Sequence, residues 1–89
     1  MEQRFACPAC GYKTLPEKPP GTYYICPVCY WEDDNVQFDD PDYVGGANEV
    51  SLRQAQKNFQ EFGAIERRFM ELVRKPDQND ERDPNWKLL

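Results

Sequence analysis

The sequence predicts a small α+β fold organised around one metal site, and three observations point to it. Four cysteines, Cys7, Cys10, Cys26 and Cys29, fall in two C-x-x-C pairs separated by fifteen residues. Short β-branched and aromatic runs lie next to those pairs, whereas apolar residues at helical spacing begin only after residue 50. The chain has 89 residues, enough for one small domain, and a domain of that size often needs a staple to supplement its core. With 39% hydrophobic and 13% aromatic residues, the chain has the material for a compact core, which argues against wholesale disorder.

The predicted organisation is a single metal-stabilised domain over residues 1–76, made of a metal ribbon (1–31), an acidic loop (32–50) and helices (51–75), then a polar tail over residues 77–89. In the ribbon, Arg4-Phe5-Ala6 reads as a strand entering the first cysteine turn. Leu15 to Gly21 contains three prolines and reads as an irregular loop. Thr22-Tyr23-Tyr24-Ile25 is β-branched and aromatic, and it reads as a short strand leading into the second turn.

Residues 32–50 hold seven acidic groups and no basic ones. The segment predicts an ordered, turn-rich loop anchored by Val36, Phe38, Tyr43 and Val44. Ser51 then stands where a helix N-cap belongs, and Gln54 three residues later completes a capping-box pattern. Val50 is placed to staple onto Ala55. Leu52, Ala55, Phe59 and Phe62 form one apolar stripe, and Gly63 is placed to stop the helix in a left-handed conformation. A second helix is predicted over Ile65 to Arg74, with Ile65, Phe69, Leu72 and Val73 inward and Pro76 ending it. One longer, bent helix is the alternative. In the tail, Trp86, Leu88 and Leu89 are apolar exceptions suited to folding back on the body.

The cysteine spacing is the strongest chemical signal. Zinc takes four ligands in a tetrahedron, and a C-x-x-C turn brings two sulfurs to one centre. Proline after the first cysteine of each pair stiffens the turn, and Gly11 after Cys10 eases a left-handed residue there. Two such turns facing each other make a zinc-ribbon or rubredoxin-like site holding one Zn2+, with Fe as a chemically close substitute. Rubredoxins carry glycine after both turns, whereas here Tyr30 follows the second.

Disulfides are disfavoured, because Met1 to Phe5 lack the apolar core of a signal peptide and no run approaches the ~20 apolar residues of a membrane helix. The expectation is a cytoplasmic protein without membrane contact, where thiols stay reduced. Four cysteines fill a tetrahedral shell and the chain has no histidine to act as base, so a structural metal and a non-enzymatic protein are expected.

The runs Cys7-Pro8-Ala9-Cys10-Gly11-Tyr12, Cys26-Pro27-Val28-Cys29-Tyr30-Trp31-Glu32-Asp33-Asp34 and Asp42-Tyr43-Val44-Gly45-Gly46-Ala47-Asn48 together resemble the bacterial cysteine-rich CPCC family. The resemblance covers roughly residues 5–75 and extends through the Phe62-Gly63-Ala64 break. It implies a small metal-binding protein and no particular reaction. One departure stands out: the family name implies Cys-Pro-Cys-Cys, whereas this chain has Ala9 at the third position.

The net charge of −5 is spread unevenly, with −7 in residues 32–50 and +3 in residues 51–75. A balance of this kind disfavours a nucleic-acid backbone. Glu32, Asp33, Asp34, Asp39, Asp40 and Asp42 are the candidate partner-binding residues, presenting a face to a basic protein. The acidic run lacks the alternating pattern of a calcium loop, and Gly45-Gly46 lacks that of a phosphate loop. Tyr12, Tyr23, Tyr24, Tyr30 and Trp31 are expected to build the miniature core around the metal rather than to stack on single-stranded bases.

The function expected is a non-enzymatic, zinc-stabilised protein-interaction module that docks or neutralises a basic partner. A nucleic-acid-binding zinc ribbon and a rubredoxin-like iron redox protein are the alternatives.

Overall fold

The computed structural model describes residues 3–89, so the first two residues of the expected ribbon lie outside the described residues. Two strands, β1 (Phe5–Ala6) and β2 (Lys13–Leu15), pair antiparallel around the first cysteine turn. Phe5 faces Leu15 and Ala6 faces Lys13. Thr14 is therefore an extra residue between two paired ones, a bulge that re-aims its side chain. β2 takes in Leu15, the first residue of the expected irregular loop.

Around the second turn no strand pair forms among the described residues. Thr22 to Ile25 was expected to be a strand, but the segment keeps one isolated bridge, Ile25 to Glu32. Tyr23 takes a φ of 60°, which an extended strand cannot contain.

Two helices follow, α1 (Asn35–Asp39) and α2 (Leu52–Phe62). In α2 the Ser51 hydroxyl accepts from the Gln54 N–H at 3.1 Å, and Gly63 ends the helix at a φ of 82°. The Gln54 side chain does not reach back to close a capping box and donates instead to Asn58. Leu52 and Ala55 are buried and Phe59 packs against the core, as the stripe predicts.

The second predicted helix is a correction. Only a 3-10 turn, Arg67–Phe69, forms within Ile65 to Arg74. The backbone there has other partners: the Ile65 N–H donates to Cys29 O, the Ile65 carbonyl accepts from Asn58 Nδ2, and the Arg74 N–H donates to Pro27 O. These tertiary bonds hold Glu66 extended and override helix propensity. Ile65 is buried as expected, but Leu72 is 61% exposed.

The core is small and is built on the cysteine cluster itself. Cys7, Cys10, Cys26 and Cys29 are fully buried together with Leu15, Val28, Trp31, Leu52, Ala55 and Ile65. The tail closes one side of it. The Trp86 indole donates to Pro8 O at 2.7 Å, and the Leu89 N–H donates to Gln56 Oε1 at 2.8 Å, while the Leu88 and Leu89 side chains stay exposed. No helix among the described residues is long and apolar enough to cross a membrane.

Candidate metal centre

Each C-x-x-C turn is a knuckle closed by the same two backbone bonds. In the first, the Cys7 N–H donates to Tyr12 O at 2.9 Å and the Gly11 N–H to Cys7 O at 2.8 Å. In the second, the Cys26 N–H donates to Trp31 O at 2.9 Å and the Tyr30 N–H to Cys26 O at 2.8 Å. The residue after each second cysteine is left-handed, with φ of 81° at Gly11 and 75° at Tyr30. The sequence signal for Gly11 thus reflects a real conformational demand, and Tyr30 meets the same demand against the preference of a bulky residue.

The knuckles face each other. Cys7 Sγ lies 3.6 Å from Cys29 Sγ, Cys10 Sγ lies 3.7 Å from Cys26 Sγ, and all four sulfurs lie within 4.8 Å of one another. Bonds of ~2.3 Å from a tetrahedral ion to sulfur require edges of ~3.8 Å, whereas a disulfide needs ~2.05 Å. The cysteines are unbridged and positioned to bind a metal ion.

The cage disfavours bare thiolates at two of its four positions. Burial pushes the Cys7 and Cys29 thiols well above their ordinary value, and hydrogen bonding with Cys10 and Cys26 adds to it. Cys26 goes the other way. Hydrogen bonds from the Cys10, Cys29 and Cys7 thiols hold it low, with a smaller contribution from the Thr14 hydroxyl at 3.0 Å. A metal ion held here would need the thiols deprotonated, so its binding would release protons. The Trp31 N–H also points at Cys29 Sγ, at 3.4 Å.

The six acidic candidates do not form one face. Asp33 is buried, and its Oδ2 accepts from the Thr22 N–H at 2.9 Å and the Thr22 hydroxyl at 2.7 Å. Asp34 is buried as the N-cap of α1, accepting from the Val36 and Gln37 N–H groups on one oxygen and from the Ala47 N–H on the other. Burial opposes the Asp34 charge, but these three donors outweigh it and hold its carboxyl below the usual carboxylate range. Asp33 and Asp34 are therefore internal ligands of the backbone rather than docking residues, which corrects that part of the expectation.

Asp40 and Asp42 are exposed, but Asp40 accepts from the Asp42 N–H and Asp42 pairs with Arg53 at 2.7 Å. Asp39 is exposed, and Glu32 is half-buried with its backbone held by the Asn48 amide.

A pair of buried amides, which carry no charge signal, organises this loop. Gln37 Nε2 donates to the carbonyls of Tyr43, Asn48 and Val50, and Gln37 Oε1 accepts from the Asn48 N–H and Nδ2. The expected anchors Val36, Phe38, Tyr43 and Val44 are all exposed. The aromatic expectation also divides. Trp31 is buried and Tyr12 and Tyr30 pack on the core, but Tyr23 and Tyr24 are exposed.

Fold and centre together define a small protein with two knuckles and a buried, four-cysteine site positioned for one metal ion. The profile of the family described as Cysteine-rich CPCC matches residues 5–80, and the chain belongs to that family. A search among curated proteins gives no match. Ala9, where the family name suggests a further cysteine, is fully buried in the core beside a sulfur set that is already complete.

Proposed function

We propose that this chain is a non-enzymatic, zinc-stabilised protein-interaction module that works in the cytoplasm and docks a basic protein partner. The observation that carries the reading is the closed sulfur cage. Four buried cysteines at tetrahedral spacing leave no open coordination position for a substrate or an activated water. Soft thiolate ligands in a tetrahedron suit zinc, and iron is a chemically close substitute.

On this reading the metal supplies folding free energy, on the order of 10 kcal/mol at neutral pH. That is comparable to the whole net stability of a small domain. What the fold then offers is surface, and the net charge of −5 favours a basic partner.

The test has two parts. Elemental analysis of protein purified from its native host should give one zinc per chain, and chelation should abolish the cooperative thermal transition. Capture experiments with the zinc-loaded protein should retain a basic protein that is released by raised salt. Retention that ignores salt, or a chelated protein that melts unchanged, contradicts the reading.

A further inference from the structure

Beside the second knuckle lies an open cleft of about 490 Å³, lined by Tyr30, Glu32, Glu49, Glu66, Arg68 and Phe69. Its volume falls within the ~300–1,000 Å³ of small-ligand sites. The cleft already performs one recognition, on a side chain of this chain. Arg68 is gripped by both oxygens of Glu66, at 3.0 and 3.2 Å, and its guanidinium carbon lies 4.5 Å from the centre of the Phe69 ring. Tyr30 stacks on the same ring at 4.4 Å. A bidentate carboxylate beside an aromatic face is the setting proteins use to hold a planar guanidinium.

Arg68 uses only part of this capacity. Glu49 reaches it through a single 3.4 Å contact, and the Glu32 carboxylate has no partner among the described residues. Three carboxylates and one guanidinium line the cleft, so negative charge remains in surplus. The rim is apolar. Ile25 is 46% exposed where it lines the cleft. Aromatic and aliphatic side chains around a charged pocket are the composition of a binding hot spot.

We propose that this cleft receives an arginine side chain of a basic protein partner, which enters beside Arg68 and pairs with Glu32 and Glu49. The inference rests on the interaction-module reading and deepens it. It places docking beside the second knuckle rather than on Asp39, Asp40 and Asp42.

The test is a titration of the zinc-loaded, 15N-labelled protein with Nα-acetyl-arginine amide, with the uncharged citrulline analogue as control. Saturable shifts are expected at Glu32, Ala47, Asn48 and Phe69, with the amides of Cys7 to Tyr12 unmoved. The citrulline analogue should bind at least about tenfold more weakly, and so should arginine amide to the Glu32→Gln/Glu49→Gln double variant. Absence of saturable shifts, equal binding of the two probes, or unchanged binding by the double variant would overturn the proposal. If a basic protein is captured in a salt-sensitive way and that capture survives the double variant, the module reading stands and the cleft is wrong.

Discussion

The two knuckles share their backbone bonds and their Cys-Pro-x-Cys chemistry, yet they are covered by different parts of the chain. The first is held from the C-terminal tail. Trp86 packs on Gly11 so closely that a Cβ there would lie 2.6 Å from the indole. Arg82 donates to Cys10 O at 3.1 Å while lying 5.0 Å from the Tyr12 and Trp86 rings. The second is held from the segment after α2, where the Ile65 N–H takes Cys29 O and Phe69 packs on Tyr30. In the first knuckle, glycine lets a side chain from elsewhere lie against the bare backbone. In the second, a tyrosine in the same left-handed conformation supplies its own cover and forms part of a cleft. The first is thus covered by a ring from the tail, and the second borders a cleft.

The largest effect should be common to both knuckles. Cys10→Ser and Cys26→Ser each break the tetrahedron and should remove metal and cooperative folding together, at a cost on the order of 10 kcal/mol, read by circular-dichroism melting with and without added zinc. Should one knuckle tolerate its serine, the two would not be equal partners in one site.

The covers come next. Trp86→Ala should lower stability by about 3 kcal/mol and Phe69→Ala by somewhat less, because both rings are only partly buried. Urea titration compares them directly.

Substitution at the left-handed position should then separate the knuckles. Gly11→Ala adds a Cβ both to a φ of 81° and to the face of Trp86, and it should cost about 2 kcal/mol or more. Tyr30→Gly relieves a strained conformation while losing the Phe69 contact, so its net change should lie within about 1 kcal/mol.

Smaller effects belong to the loop and to α2. The Asp34 carboxyl is held below its unfolded value of ~3.9. Its stabilisation is therefore complete above that pH and is lost as pH falls through the lower folded value. Asp34→Ala should flatten this part of the acid denaturation curve of the zinc-loaded protein. Ser51→Ala should cost about 1 kcal/mol through the lost cap, and wild-type-like stability in that variant would show that the observed hydrogen bond contributes little.

Much of the metal site was legible because thiol spacing is a covalent fact and its geometry is local. Cys7, Cys10, Cys26 and Cys29 come together as their spacing requires, and α2 is bounded by the Ser51 hydroxyl and by Gly63, whose missing Cβ permits the left-handed turn. The failures share a cause. The second helix and the Thr22–Ile25 strand were inferred from local propensity, and backbone bonds to distant carbonyls decided otherwise. In the acidic loop the usual pattern is inverted. α1 buries Gln37 and exposes Val36 and Phe38, so an apolar-in rule reads it backwards. Asp33 reads as surface charge because its donor, Thr22, lies eleven residues away, and Asp34 because the short helix α1 that it caps reads as loop. Thr14, Asn48, Gln56 and Arg82 carry no signal of their own, since each matters only through a partner far away in the chain.

The central claim is that all four cysteines bind one metal ion in a closed shell. X-ray absorption at the metal edge of the host-purified protein tests it most directly. The account predicts one metal per chain with four sulfur neighbours at ~2.3 Å and no nitrogen or oxygen in the shell. A shell with fewer than four sulfurs, or protein that folds and holds no metal, would contradict it.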